Sequence, residues 1–188
     1  MHQAAAREQA FTAHVLPEVE MLLRAAAALS AQPADAEDLV RDTLLRAYAA
    51  MDRFDGEHPR AWLLTLMRRA VLDRQRSRMA LDTGPVWPSP PQAVGPGGGF
   101  DEAVGSALNS LPGRQRLVAQ LVDSSGLSYA EAAGLLGVSE RIVAHRAHRA
   151  RRRMRTRLAA EGAIPRKAAD GYWGPPDRPT GAPDKPQQ

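Results

Sequence analysis

The segment 128–158 constrains the fold of this chain most, because it holds two helix patterns separated by a single glycine. Ser128 and Glu131 have the spacing of a capping box, in which each side chain bonds the other residue's backbone N–H. Gly137 suits the left-handed residue that follows a helix, and Ser139 can cap a second helix. A small apolar face on the first helix is formed by Ala130, Ala133, Leu135 and Leu136. This pattern predicts a helix-turn-helix.

The second helix of this motif is strongly basic. Residues 139–158 contain eight arginines and one acid, Glu140, which gives a local net charge of +7. Charge alone is equally compatible with a solvated basic helix. Combined with a capped first helix and a glycine turn, it favours nucleic-acid binding, with the start of the helix in the major groove and the remainder along phosphates.

Composition favours packed helices over sheets. The chain has 188 residues, of which 44% are hydrophobic and only 5% aromatic, so leucine, valine, alanine and methionine must form the core. It contains no cysteine, which excludes disulfides and Cys-ligated zinc. No apolar run approaches the roughly 20 residues of a membrane span, and the N-terminus lacks a signal-peptide pattern. We therefore expect an all-α cytoplasmic protein without membrane insertion.

The N-terminal half divides into an acidic and a basic stretch. Residues 35–57 carry seven acids and three arginines, whereas residues 60–78 carry six arginines and one acid. Apolar residues recur at helical spacing in both, and Asp35 can cap the first of these helices while Pro59 opens the second. Such a split predicts two surfaces with different partners, one of them an anion.

The chain is expected to form two small helical domains. In residues 82–99, ten of eighteen positions are proline or glycine, a composition that cannot build a core. The tail contains six prolines and should be disordered. The predicted division is a first domain over 1–80, a flexible linker over 81–99, a helix-turn-helix domain over 100–161 and a tail over 162–188. The two domains should tumble semi-independently.

Four motifs in this order, DAEDLV, RFDG, PRAWLL and LSYAEAAGLLGVS, resemble the second and fourth regions of extracytoplasmic-function sigma factors of bacterial RNA polymerase. The resemblance covers roughly residues 11–158. It implies an alternative sigma factor that binds core polymerase and directs promoter-specific initiation. The expected partners are the clamp helices of the largest polymerase subunit, the flap of the second-largest subunit, promoter DNA and an anti-sigma factor.

The resemblance also implies site residues in the first domain. The acidic helix would dock on the clamp helices through Asp35, Glu37, Asp38, Leu39 and Asp42. The following turn and basic helix would capture a flipped base of the minus-ten element and its phosphates through Phe54, His58, Arg60, Trp62, Arg68, Arg69 and Arg74. Three of these residues have a second interpretation: Asp35 can be only a helix cap, Glu37 can only complement the helix dipole, and Trp62 lies on an apolar stripe that favours a core position.

In the second domain, the resemblance implies that the basic helix contacts the minus-thirty-five element through Ser139, Arg141, Ala144, His145, Arg146, Arg149, Arg152 and Arg153. We expect base contacts at Arg141, Ala144, His145 and Arg149, and phosphate contacts in the run from 151 to 157. Ile142 and Val143 should point inward. Related sigma factors often have lysine and serine where Ala144 and His145 stand, and asparagine at the position of Arg69, so the promoter sequence should differ.

Two other classes of protein fit these sequence patterns less well. A helix-turn-helix regulator that acts without being a polymerase subunit would need a ligand or receiver domain, and the N-terminal half shows no alternation of strands and helices. An enzyme is disfavoured by the lack of cysteine, of a glycine-rich phosphate loop and of a His-carboxylate cluster at metal spacing. His145 and His148 have a metal-compatible spacing but no nearby carboxylate, so we expect neither metal nor cofactor.

Overall fold

A computed structural model describes residues 2–80 and 99–164, and helices dominate both ranges. The described part contains no β-strand, so the predicted all-α class is confirmed. The α-helices are α1 (His2–His14), α2 (Val19–Leu29), α3 (Pro33–Ala50), α4 (Pro59–Ala80), α5 (Gly99–Asn109), α6 (Gly113–Ala119), α7 (Tyr129–Leu136) and α8 (Glu140–Ala160). Short 3-10 turns precede α2 and follow α3, and a π turn over Gln120–Ser124 follows α6.

Helices α2, α3 and α4 pack around one apolar centre in the N-terminal unit. Leu22, Leu63 and Met67 are completely buried there, as the helical spacing of apolar residues predicts. The hydroxyl of the buried Thr43 donates to the carbonyl of Leu39 at 2.7 Å, which satisfies the only polar group of that side chain. This packing fixes the orientation of α3 and α4, whose outer faces carry the charges.

The start of α3 differs from the sequence prediction. Asp35 was expected to cap this helix, but the helix begins two residues earlier, at Pro33, with Gln32 at the N-cap. Proline is favoured at the first helical position because its missing N–H would have no partner there. Asp35 consequently lies in the first turn, where its carboxylate still interacts favourably with the helix dipole.

The helix-turn-helix forms with the predicted capping box and glycine turn. The hydroxyl of Ser128 accepts the Glu131 N–H at 3.2 Å, while the Glu131 carboxylate accepts the Ser128 N–H at 2.7 Å. Gly137 ends α7 in the left-handed region, at φ 67°. Two details differ from the prediction. Ser139 precedes α8 but makes no side-chain cap bond, and Ala130 is exposed because the buried face of α7 is formed by Ala132, Ala133 and Leu135.

Replacing Ser128 by alanine is expected to lower the free energy of unfolding by about 1 kcal/mol, because the substitution removes one half of the capping box. Ser139→Ala is the matched control, since the Ser139 side chain makes no cap hydrogen bond. Chemical denaturation of the two variants measures the difference. Equal losses of stability would contradict the assignment of the cap to Ser128.

The two units pack against each other, which differs from the expected semi-independent tumbling. Helix α4 contacts α7, and α2 contacts the π turn. A single cluster of buried apolar residues includes Leu63 of α4 together with Leu121, Leu127 and Val143 of the C-terminal unit. One reason for this packing is that Leu64, which lies beside the predicted apolar stripe of α4, is also buried. The buried arc of α4 is therefore wide enough to pack on two sides.

The predicted linker over 81–99 and the predicted tail over 162–188 fall almost entirely outside the described residues. Trp87, Tyr172 and Trp173 lie outside the described residues as well. In the part of the chain that the structure describes, no helix is both long and apolar enough to cross a membrane.

Candidate polymerase and nucleic-acid interfaces

The acidic residues of α3 differ in how far they are exposed to solvent. Glu37 and Asp38 are exposed, and Asp38 pairs with Arg41 at 2.8 Å on the surface. Asp35 and Asp42 are half-buried. Glu37 and Asp38 therefore lie on the outer surface of the helix, whereas Asp42 also pairs with Arg46 at 2.9 Å.

Leu39, the remaining residue predicted to contact polymerase, is only 2% exposed and belongs to the core. Its side chain cannot contact a partner while α3 stays packed, so its predicted contact role disagrees with the structure. Because Leu39 lies at helical spacing from the buried Ala36 and Thr43, the apolar periodicity of α3 already indicated an inward position.

An ion-pair network fastens α3 to α4. Arg46 binds Asp42 at 2.9 Å and Asp73 at 2.8 Å, and Asp73 also binds Arg76 at 3.2 Å. Hydrogen bonds from Arg46 to Asp42 and Asp73 raise the pKa of its guanidinium above the ordinary value. Asp73 thus pairs with one arginine of α3 and one of α4. The contact between Arg46 and Asp73 joins residues 27 positions apart, which local sequence patterns do not indicate.

An apolar groove lies beside the acidic residues of α3. It has a volume of about 430 Å³. Three of its side chains are unusually exposed for their type: Leu45 at 65%, Tyr48 at 43% and Leu23 at 42%. The remaining lining residues are Phe11, Glu37, Val40, Arg41 and Leu44. Clustered exposed apolar side chains bordered by charges are typical of a protein-binding surface.

The turn between α3 and α4 holds His58 in an unusual conformation. The Asp55 carboxylate accepts the Glu57 N–H at 2.9 Å, and Gly56 has φ 84°. His58 has φ 49°, the one positive value at a non-glycine residue in the described part of the chain. Its carbonyl accepts the Trp62 N–H at 3.1 Å, so His58 immediately precedes α4 and accepts a hydrogen bond from its first turn. The imidazole is exposed, and hydrogen bonds in the turn before His58 and in the first turn of α4 hold the backbone on either side of it.

Phe54 and Trp62 form an aromatic pair rather than an open platform. Their ring centroids are 4.6 Å apart at 31°, and His14 packs edge-on to Phe54 at 5.4 Å. Both rings are half-buried and pack against the core. The core interpretation of Trp62 therefore agrees with the structure, although one part of each ring remains accessible.

The four arginines predicted on α4 have different surroundings. Arg68 and Arg69 are exposed. Arg74 donates to the carbonyl of Asp35 at 3.2 Å and so holds α4 against the start of α3. Arg60 is turned toward the C-terminal unit, where it contacts Glu131 and Gly126. The structure therefore does not bring all four together on one open surface.

The outer face of α8 carries most of its predicted DNA-contacting residues. Ser139, Arg141, His145, Arg149, Arg152 and Arg153 are exposed, and Ala144 and Arg146 are half-buried. Val143 is completely buried as predicted, but Ile142 is 41% exposed. The prediction for Ile142 was wrong because α8 turns its buried face toward Val143, Ala147 and Ala150, which leaves residue 142 at the edge.

The arginine run at the end of α8 is not uniformly available. Arg151 binds the Asp123 carboxylate at 2.5 Å and the Tyr129 hydroxyl at 2.8 Å, so it joins α8 to α7 and the π turn. The Nε of Arg155 is enclosed. These two residues depart from the expected phosphate track, whereas Arg149, Arg152 and Arg153 share a groove of about 590 Å³ with Arg157.

Both histidines that were considered as metal ligands, His145 and His148, are exposed on α8. No group of three or more histidine, cysteine, aspartate or glutamate side chains with metal-binding geometry occurs within residues 2–80 and 99–164.

Family models identify both halves of this arrangement. Sigma-70 region 2 matches residues 15–80, and Sigma-70 region 4 matches residues 101–154. The ECF RNA polymerase sigma factor EcfG of Rhodopseudomonas palustris is 34% identical over 154 residues, which cover 79% of this chain and 85% of EcfG. The chain belongs to the ECF sigma factors. SigL of Mycobacterium tuberculosis is 34% identical over 170 residues, which cover 85% of this chain and 95% of SigL.

Two solved structures share the fold. The sigma factor RpoE of Bartonella quintana, solved in complex with the anti-sigma factor NepR, has 36% identity and a TM-score of 0.56 over 78% of this chain and 95% of RpoE. CnrH, solved in complex with the cytosolic domain of CnrY, has 30% identity and a TM-score of 0.54 over 84% of this chain and 93% of CnrH. The ECF sigma factor described here is therefore an alternative sigma factor that directs transcription initiation with core RNA polymerase.

Proposed function

We propose that this ECF sigma factor binds polymerase and promoter DNA through three separate surfaces. The outer face of α3 binds polymerase, the turn before α4 together with α4 captures the minus-ten element, and the outer face of α8 recognises the minus-thirty-five element. The observation that carries the proposal is the separation of charge: exposed carboxylates on α3 and exposed arginines on α8. The same division supports a boundary between the two units in the segment 81–99.

The polymerase surface combines the acidic residues of α3 with the adjacent apolar groove. Glu37 borders both, since it is exposed and lines the groove. Leu45 and Tyr48 extend the surface to α3 positions that the sequence did not single out. Such an arrangement fits a partner helix that has an apolar stripe with basic residues on both sides. The groove can bury the apolar side chains of that helix, and the carboxylates of α3 can pair with its basic side chains. The clamp helices of the largest polymerase subunit are the proposed partner.

The minus-ten surface centres on His58. Its fixed backbone and exposed imidazole suit a group that contacts an extruded base, and the accessible part of the Phe54 and Trp62 rings offers an apolar wall beside it. Arg68 and Arg69 supply positive charge for the phosphates of the captured strand. Base stacking directly between Phe54 and Trp62 is not proposed, because the two rings pack on each other.

The minus-thirty-five surface begins at the start of α8. Arg141, His145 and Arg149 are exposed at helical spacing and would face base edges in the major groove. Arg152 and Arg153 follow on the same exposed side and would hold phosphates. Arg153 also donates to Gln115 at 3.3 Å, which positions its guanidinium without neutralising it.

An anti-sigma factor is a further proposed partner, supported by the solved complex of the related RpoE with the anti-sigma factor NepR. We also propose that this protein has no catalytic activity of its own and acts in the cytoplasm, where its polymerase partner resides. The flap of the second-largest subunit is the proposed contact of the C-terminal unit.

Site-specific photocrosslinking in a reconstituted initiation complex tests the division directly. A photoreactive residue at Leu45 should crosslink to the largest polymerase subunit, one at His58 to the non-template strand of the minus-ten element, and one at His145 to minus-thirty-five DNA. Ser106, exposed on α5 and outside all three surfaces, serves as the control position. Crosslinks from Leu45 to DNA, or from His145 only to polymerase, would contradict the proposed division.

A further inference from the structure

One face of α1 contacts the end of α3 and the 3-10 turn that follows it. The contacting side chains, Arg7, Phe11 and His14, are four and three residues apart and so lie on one side of the helix. Phe11 packs edge-on against the Tyr48 ring at 5.5 Å, and His14 packs edge-on against the Phe54 ring at 5.4 Å. Helix α1 therefore contacts the chain both before and after the 3-10 turn.

An ion pair joins α1 to the 3-10 turn itself. The Arg7 guanidinium donates two hydrogen bonds to the Asp52 carboxylate, one of them from Nε to Oδ1 at 3.2 Å. It also lies over the Tyr48 ring, 5.8 Å from the centroid. Hydrogen bonding to Asp52 raises the pKa of the Arg7 guanidinium above its ordinary value. A bidentate pair of this kind fixes the orientation of the carboxylate and compensates its charge.

Arg53 lies in the chain between two residues that α1 contacts. A 3-10 helix has about three residues per turn, so the side chains of Asp52, Arg53 and Phe54 point in different directions. Asp52 turns toward α1 and Phe54 packs on Trp62, which leaves Arg53 exposed to solvent. Arg53 has no ion-pair partner in the part of the chain that the structure describes. Its guanidinium is therefore available to an anion.

We propose that Arg53 binds a phosphate of the captured non-template strand and that α1 positions Arg53 for this contact through Arg7. The inference rests on the proposed minus-ten role of the turn, in which the exposed His58 follows Arg53 by five residues. It adds to that surface an arginine and a helix that the sequence patterns did not indicate.

The charge of the turn explains why Arg7 is needed. Residues 52–58 contain three acids and one arginine, a local net charge of −2, which by itself repels a phosphate. Arg7 compensates Asp52, the acid next to Arg53 in the chain. Without Arg7, the Asp52 carboxylate would be free to pair with Arg53 and so compete with the phosphate for its guanidinium.

The salt dependence of DNA binding tests the phosphate contact. The probe is a fragment of a promoter that the holoenzyme transcribes, double-stranded at the minus-thirty-five element and reduced to the non-template strand at the minus-ten element. In a titration with purified holoenzyme, Arg53→Ala should weaken binding and flatten the log-log salt dependence by roughly 0.7, the contribution of one single-strand phosphate. Arg114→Ala, which removes an exposed arginine of α6, is the matched control and should leave the slope unchanged. An unchanged slope with Arg53→Ala would overturn the proposal.

A double-mutant cycle tests the positioning role of Arg7. Arg7→Ala should lower the affinity for the same fragment about two- to fivefold, the range that a partly exposed ion pair can contribute. Arg7→Lys keeps the charge opposite Asp52 and should restore most of the affinity. In the Arg53→Ala background, Arg7→Ala should have almost no further effect, because the residue that it positions is absent.

Arg24→Ala is the control for Arg7→Ala, since Arg24 also pairs with an acid, Glu20, at 2.7 Å, but within α2. It should leave the affinity unchanged. Circular dichroism of the Arg7 variants should match that of the unaltered protein. Equal losses from Arg7→Ala with and without Arg53 would overturn the positioning role.

His58→Ala separates this inference from the proposed function. If His58→Ala and Arg53→Ala both weaken binding and only Arg53→Ala flattens the salt dependence, the proposal is supported. If only His58→Ala weakens binding, the turn captures the minus-ten strand without Arg53, and this inference alone fails. If neither variant weakens binding, the proposed minus-ten role of the turn fails as well.

Discussion

Reversing two charges on α3, through Glu37→Arg and Asp38→Arg together, is expected to lower the affinity for core polymerase at least about tenfold. Both side chains are exposed beside the apolar groove, and like charges facing each other across an interface cost several kcal/mol. The affinity is measured by titrating labelled sigma factor with core polymerase. Circular dichroism should show nearly unchanged helix content, since neither residue is buried.

The matched control is Asp101→Arg with Glu102→Arg. These are also two consecutive exposed acids in one helix, α5, and their reversal changes the net charge by the same amount. The control should bind core polymerase nearly as well as the unaltered protein. If both double variants lose affinity equally, the effect is one of net charge, and the proposed α3 surface is wrong.

Alanine at His145 and Arg149 is expected to change which minus-thirty-five sequences are preferred. A bidentate contact from arginine to a base edge contributes about 1 to 3 kcal/mol of discrimination, so the selectivity at the contacted position should fall by roughly that amount. The measurement is binding to a randomised minus-thirty-five library at several salt concentrations.

Alanine at Arg152 and Arg153 should instead weaken binding to all sequences almost equally. Each lost phosphate contact should flatten the log-log salt dependence by roughly 0.9, because fewer counterions are released. Arg114→Ala, which removes an exposed arginine of α6, is the control and should leave the slope unchanged. If the His145 and Arg149 variants give the same selectivity profile as the Arg152 and Arg153 variants, α8 has no separate base-recognising part.

The sequence predicted features that depend on nearby residues. The capping box joins Ser128 and Glu131, three positions apart, and the left-handed residue at Gly137 follows from the conformational freedom of glycine. Helix α4 was expected to begin at Pro59, and it does. Its apolar residues recur at helical spacing, and three of them, Leu63, Met67 and Ala70, are completely buried. Periodicity and local turn chemistry are sufficient for such elements.

Features that join distant parts of the chain were not predictable from these patterns. The Arg60 contact with Glu131 spans 71 positions, and a single sequence does not show which arginine will face which acid. Arg151 illustrates the same limit, since it was grouped with its neighbours as a phosphate contact although Asp123 and Tyr129 bind it. Such pairings depend on how the helices pack together, which local sequence patterns do not determine.

The apolar groove beside α3 shows a related limit. Leu45 and Tyr48 are an apolar and an aromatic residue on a helix with a clear buried face. The structure leaves both largely exposed because α1 covers only part of α3, with Phe11 reaching Tyr48 at a ring distance of 5.5 Å. Helical spacing alone does not show where the coverage by a neighbouring helix ends.

Run-off transcription with purified core polymerase and genomic promoter fragments tests the central claim most directly. We expect defined transcripts that require both the sigma factor and core polymerase. We also expect these transcripts to be lost with Glu37→Arg and Asp38→Arg and kept with Asp101→Arg and Glu102→Arg. Absence of sigma-dependent initiation from every fragment, with an active core polymerase, would contradict the account.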